Sequence, residues 1–188
     1  LVSLTLKWTR ALSLQRDVFS SPSFSGLFHL CLTSPSFIMK LPNALDFSSL
    51  SSLMALCLTF SFSNADDLEQ TFGSVLKLNR TLIELRLYDF CAVQGASTVV
   101  ACIDEAKMKQ LSVLSELCLL TLASPKLESV AELRELKQLQ SVDLTDCPLI
   151  TAKQALLHLE PLPNLSKLSA IGTPELQAEI GRASCRER

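Results

Sequence analysis

One short pattern, L-x-x-L-x-L, recurs seven times at near-regular spacing, and it constrains the fold more than any other feature of this chain. The copies are Leu1/Leu4/Leu6, Leu27/Leu30/Leu32, Leu53/Leu56/Leu58, Leu82/Leu85/Leu87, Leu114/Leu117/Leu119, Leu139/Val142/Leu144 and Leu165/Leu168/Ala170. Their first positions differ by 26, 26, 29, 32, 25 and 26 residues. A period of this size marks a repeat architecture. Each unit carries an apolar face that it cannot bury alone, and stacked neighbours make one continuous core. The pattern speaks to shape and to a surface for binding; it names no partner.

Within a unit, the second and third apolar positions are two residues apart, so both point to one side of a strand and their neighbours point to the other. In residues 139–149, Val142 and Leu144 take the core side, and Ser141, Asp143 and Thr145 take the other. The segments between strands read as returns. Residues 66–76 place Leu68, Phe72, Val75 and Leu76 on one helical face, with Asp66 and Asp67 at the end where the helix dipole favours acids. Residues 98–110 repeat the arrangement with Val99, Cys102, Ile103 and Ala106, and residues 151–159 offer Thr151 as a cap. Leu127, Val130, Leu133, Leu136 and Leu139 instead recur every third residue, which predicts a tighter, partly 3₁₀ return.

Residues 139–149 fit L-x-x-L-x-L-x-x-C-x-L, so the chain resembles the leucine-rich repeat family. Its strand-plus-helix units are similar to the long, ribonuclease-inhibitor-like class, most closely over residues 79–87. The resemblance covers residues 1–176. It implies an α/β leucine-rich repeat solenoid, a horseshoe with a parallel sheet on the concave face and helices on the convex face. Cys147 stands where the family carries a small polar group that bonds the turning backbone. The other repeats put Pro35, Ser61, Phe90, Leu122 and Thr173 there, so the ladder is expected to be irregular.

The expected domain is residues 1–178, truncated at both ends, since the pattern begins at Leu1 and the first methionine is Met39. Residues 179–188 hold no leucine and carry three arginines. They resemble translated sequencing adapter and are read as a non-native tail.

Composition excludes several function classes. Formal net charge is −2, so no attraction to nucleic acid is expected. Two uncharged runs, residues 18–39 and 47–65, are long enough for a bilayer. Both are serine-rich and keep the repeat phase, so no membrane association is expected. Seven cysteines with no C-x-x-C pair argue against a disulfide framework and for a reducing, cytoplasmic setting. The sequons at Asn79 and Asn164 fall at repeat turns and are read as chance. His29, Cys31 and Cys57 fall on one face of adjacent strands, but structural zinc comes with tight local ligand pairs. They are expected to be thiols and an imidazole without metal. His29 and His158 are the only histidines, and no glycine-rich phosphate loop is present. No enzyme, cofactor or small-molecule substrate is therefore expected.

Binding is expected on the concave face, where equivalent positions form columns. The column between the second and third apolar positions reads Thr5, Cys31, Cys57, Arg86, Cys118, Asp143 and Ser169. The preceding one includes His29, Glu84 and Glu116, and the following one includes Tyr88. Glu84, Arg86, Tyr88, Glu116 and Asp143 are the candidate protein-binding residues, because arginine and tyrosine are the favoured anchoring types. The expected function is a protein-binding module. The alternatives are the ligand-sensing part of a larger regulatory or membrane-anchored protein, or the substrate-recognition part of a ubiquitin ligase.

Overall fold

Each copy of the pattern contributes one strand, and the strands pair in chain order, all parallel. They are β1 (Ser3–Lys7), β2 (His29–Thr33), β4 (Ala55–Phe62), β5 (Glu84–Asp89), β6 (Leu119–Ala123), β7 (Ser141–Leu144) and β8 (Lys167–Ser169). A two-residue strand, β3 (Lys40–Leu41), pairs only with β4. The computed structural model describes residues 2–7, 18–33, 40–41, 44–62, 65–89 and 103–170. The sheet is open, with β1 and β8 at its edges. Among the described residues, three α-helices return the chain: α1 (Ala65–Leu76), α2 (Glu105–Leu111) and α3 (Ala152–Leu159).

Register is set by whole repeats. Leu30 faces Leu56, Leu56 faces Leu85, Leu85 faces Leu120, and Leu120 faces Val142. All five are buried. A register slip of one residue would carry this whole set to solvent, so the apolar pattern fixes the pairing. The first position is buried too in the five inner copies, at Leu27, Leu53, Leu82, Leu117 and Leu139. At the edges, Leu4, Leu6, Leu165 and Leu168 are only partly buried against the cluster.

A backbone ladder locks the entry to each strand. The Val2 carbonyl accepts from the amides of Phe28 and His29, at 3.0 and 3.2 Å. The carbonyls of Phe28, Met54, Ile83, Cys118 and Gln140 repeat this arrangement, each taking two amides from the next repeat. Just upstream, a short turn precedes each described unit after the first. Leu27, Leu53, Leu117, Leu139 and Leu165 each donate an amide to the carbonyl three residues back, from Phe24, Leu50, Leu114, Leu136 and Leu162 respectively. Leu82 makes the equivalent bond to Leu78, four back.

These bonds correct the fifth repeat. The expected copy was Leu114/Leu117/Leu119; the structure uses Leu117/Leu120/Leu122. Both frames match L-x-x-L-x-L because leucines stand at 114, 117, 119, 120 and 122. Leu114 belongs to the closing turn, and Leu119 points to the open face at 37% exposure. The observed frame buries Leu114, Leu117, Leu120 and Leu122 and exposes one leucine. The expected frame points Leu119 into the core and so turns Leu120 and Leu122 to the opposite, open face, because strand side chains alternate. Leu122 is accordingly a core residue, and Pro125 takes the position assigned to it at the turn.

The returns follow the sequence more closely. Thr151 caps α3 with a full capping box through Gln154, and the expected 3₁₀ return appears at Ala131–Glu135. The helix expected over 98–110 is Glu105–Leu111, with the Asp104 carboxylate accepting the Lys107 amide at 3.0 Å. Its buried face is Lys107, Met108 and Leu111, and Ala106, expected on that face, is exposed because the helix starts only at Glu105. Residues 98–102 and the tail at 179–188 lie outside the described residues. Cys147 is fully buried, and its thiol lies 3.5 Å from the Leu122 carbonyl of the preceding repeat, the role expected of it. Among the described residues, no helix is long and apolar enough to cross a membrane.

One feature of α1 has no counterpart in the pattern. Asp67, Thr71 and Ser74 line a single helical stripe and catch the extended segment 44–47. Their oxygens accept the amides of Ala44, Leu45 and Phe47 at 3.0, 2.8 and 3.2 Å. The Ser74 hydroxyl also donates to the carbonyls of Thr71 and Leu45. A buried amide without a partner is costly, so Thr71→Val, which keeps the shape and removes the acceptor, should destabilise by about 1–3 kcal/mol. Urea unfolding checks this. Thr81→Val, at a half-buried turn position, serves as the comparison and should change far less.

Candidate binding face

The side of the sheet away from the core is largely open, though Ala55, Thr59 and Ala123 on it are buried. Its side chains come from alternate strand positions and stack into three columns set by the observed register. The first runs Ser3, His29, Ala55, Glu84, Leu119, Ser141, Lys167. The second runs Thr5, Cys31, Cys57, Arg86, Thr121, Asp143, Ser169. The third includes Lys7, Thr33, Thr59, Tyr88 and Ala123. In most proteins parallel sheets are covered on both faces. A parallel sheet with one face largely in solvent is a surface available to something else.

Glu84, Arg86 and Tyr88 alternate along β5 and share this face, as expected. Arg86 holds Glu84 through both Nε and Nη2, each 2.5 Å from Oε1. Burial opposes the Arg86 charge, and Glu84 more than offsets this, so the guanidinium stays firmly protonated. Asp143 lies two strands along the same column, about 10 Å away by strand spacing, and accepts from the Thr145 hydroxyl at 2.8 Å. Tyr88 is half-buried. Burial and the neighbouring Cys57 raise its pKa, Arg86 lowers it, and Asp143 adds a smaller upward push.

Glu116 does not belong to the face. It sits in the turn before β6, exposed, beside the Ser115 hydroxyl at 3.3 Å. The residue opposite Glu84 is Leu119, and the one opposite Arg86 is Thr121 rather than Cys118. The cause is the three-residue frame change described above. It removes one acid from the expected cluster and puts an exposed leucine in its place.

Strands β1, β2, β4 and β5 line an open hollow of about 360 Å³ on this face, with residues that include Thr5, His29, Cys31, Cys57, Glu84 and Arg86. Cys31 and Cys57 are directly opposed across β2 and β4, and both are free thiols. Burial pushes the Cys57 thiol up to about 12, and Cys31 beside it adds to the shift by charge and by a hydrogen bond. Among the described residues, no group of three His, Cys, Asp or Glu side chains could hold a metal ion.

Sequence reasoning also missed a stripe at the edge where the strands begin. The second residue of each copy occupies it: Val2, Phe28 and Met54 are exposed, and Ile83 and Cys118 are partly so. Gln140 and Ser166 continue the same line with polar groups. The signal was present, since these are the x residues after each first leucine, but isolated exposed apolar groups are ordinary. Only the ladder of shared carbonyls shows that they are contiguous.

The raised thiol and phenol pKa values have a stability consequence. A group whose folded pKa exceeds its unfolded value contributes fully below the unfolded value and loses the contribution as pH rises through the folded one. For Cys57 the window runs from about 9 to about 12, and Tyr88 acts in the same direction above 10. Unfolding free energy is therefore expected to fall by roughly 2 kcal/mol between pH 9 and 11. Cys57→Ser should remove a measurable part of that fall in urea titrations at the two pH values; an identical fall in the variant would contradict the assignment.

No protein-family model matches this chain, and no curated protein is similar to it, so the meaning of the face rests on its geometry.

Proposed function

We propose that the chain is a leucine-rich repeat module that binds a protein partner across the concave side of its sheet. The observation that carries this reading is the stack of seven in-register parallel strands with one face in the core and the other largely open. A rigid array of columns lets one partner touch several repeats at once, and each touching residue is held by a strand rather than a loop. Arg86 supplies a forked donor with a fixed direction, Tyr88 a stiff contact area, and Leu119 an apolar spot between them and β7. The Glu84 and Asp143 carboxylates favour a partner that brings a basic group to the space around Arg86. The rim of such an interface weakens with salt.

The test is an alanine scan against partners captured by pull-down and then measured one at a time by calorimetry. Arg86→Ala and Tyr88→Ala are each expected to cost about 2 kcal/mol, roughly a 30-fold loss of affinity. Lys153→Ala, exposed on α3, is the control and should change binding less than twofold. Lys107 is unsuitable as a control. Its ammonium is buried and held by Glu69 at 2.5 Å between α1 and α2, so removing it perturbs the fold. Loss of binding on Lys153→Ala, with normal binding by both sheet variants, would place the interface on the helical side and sink the proposal.

A further inference from the structure

The Cys31–Cys57 pair is the one cluster of nucleophilic side chains on the open face, among the described residues, that the binding role leaves without use. Both thiols are partly exposed, and both line the hollow formed by β1, β2, β4 and β5. They are partners in register, with Leu30 facing Leu56 on one side and Leu32 facing Leu58 on the other. Neighbouring strands stand about 4.8 Å apart, inside the Cα separation of about 4.4–6.8 Å that a disulfide accepts. Their Cβ atoms, however, stand about a strand spacing apart, at or beyond the wide end of the disulfide range. A bond there draws two buried strands together, and a bond formed against such resistance is easily reduced again. Of the other described cysteines, Cys147 is fully buried, and Cys118 stands in the strand-entry stripe between Ile83 and Gln140.

We infer that Cys31 and Cys57 form a reversible thiol–disulfide exchange site, whose reagent is a low-molecular-weight disulfide that enters the hollow. The inference stands apart from the protein-binding reading and does not need it. The Cys31 thiolate attacks one sulfur of R–S–S–R. A Cys31–S–S–R bond forms, the reagent's own S–S bond breaks, and the expelled thiolate takes up a proton. Cys57 then gives up its proton and attacks the Cys31 sulfur. The protein disulfide forms, and the second RS⁻ leaves and is protonated. Two protein thiols are oxidised and one reagent disulfide is reduced to two RSH.

The order of attack follows from the surroundings. The Cys57 thiolate is disfavoured, because burial and the neighbouring Cys31 both hold its proton on. The mixed disulfide on Cys31 carries no charge and removes that repulsion, while Arg86 continues to favour the Cys57 thiolate. The first step therefore prepares the second. The product closes a bond between β2 and β4 beside Arg86, inside the hollow a ligand would have to use.

The experiment is equilibration of the whole protein in oxidised and reduced glutathione at neutral pH, followed by acid quench and mass spectrometry. Trypsin separates the two thiols cleanly, since residues 17–40 contain only Cys31 and residues 41–77 only Cys57. The expected result is a link between these two peptides, a loss of two hydrogens, and full reversal by dithiothreitol. Cys57→Ser should instead accumulate glutathione on Cys31, because nothing resolves it. Cys31→Ser should leave Cys57 mostly unmodified. Circular dichroism confirms that each variant is folded; if a variant is not, the wild-type peptide map alone decides. Failure of folded wild-type protein to join these peptides at any glutathione ratio overturns the inference. So does faster modification of Cys57 in Cys31→Ser than of Cys31 in Cys57→Ser.

Discussion

Leu120→Asn is expected to cost about 4 kcal/mol or more, enough to unfold a domain of ordinary stability, whereas Leu119→Asn should stay within about 0.5 kcal/mol. The two leucines are neighbours in sequence and opposite in environment. Leu120 is 1% exposed between Leu85 and Val142, so the new amide loses its water, finds no partner among leucines, and gives up the methyl contacts as well. Leu119 is 37% exposed beside Glu84 and Ser141, where an amide keeps its solvent. Urea unfolding of the two variants measures the difference directly. The comparison decides the frame of the fifth repeat, because the frame that reads Leu114/Leu117/Leu119 requires the opposite ranking.

Leu85→Ala should destabilise by about 2–5 kcal/mol, the range for deleting a buried leucine side chain and leaving part of its cavity. Leu85 is fully buried at the middle of the sheet, with Leu56 on one side and Leu120 on the other, so neither flank can collapse far into the gap. The range of coupling is as informative as the cost. With Leu56→Ala, in direct register, the double mutant should depart from additivity by about 0.5 kcal/mol or more. With Leu30→Ala, two strands away, it should be additive within about 0.3–0.5 kcal/mol. A one-dimensional stack has only nearest-neighbour interfaces. Strong coupling between Leu85 and Leu30 would mean a core shared across repeats and would argue against a solenoid.

The sheet was legible in the sequence because it rests on a pattern of period two repeated at long range. Six of seven copies fall in the frame read from the leucines, and so do the capping residue of α3 and the 3₁₀ return. The fifth copy was misread for a physical reason. Five leucines within nine positions satisfy two overlapping frames, and the spacings 32 and 25 looked more regular than the true 35 and 22. What separates the frames is the turn at Leu114, and a turn bond is not visible as periodicity. The candidate face inherited the error: Glu84, Arg86, Tyr88 and Asp143 share one side of the sheet, while Glu116 falls in a turn. The Asp67–Thr71–Ser74 stripe was invisible for a different reason. It serves a distant extended segment, and small polar residues on a helix look like ordinary solvated positions until their partners are known.

The ladder of shared carbonyls carries a consequence for how such a chain can change over generations. Each repeat is joined to the last in the same way at the entry to its strand, where a single carbonyl takes two amides. Nothing in that joint measures how much chain lies between one strand and the next. The gap between first positions is 22 residues from Leu117 to Leu139 and 35 from Leu82 to Leu117, yet the joint is the same at both. Insertions and deletions in the returns are therefore cheap, and those within the six residues of the pattern are not. A chain built this way can lengthen or shorten its outer segments freely while its strands, and whatever they face, keep their places.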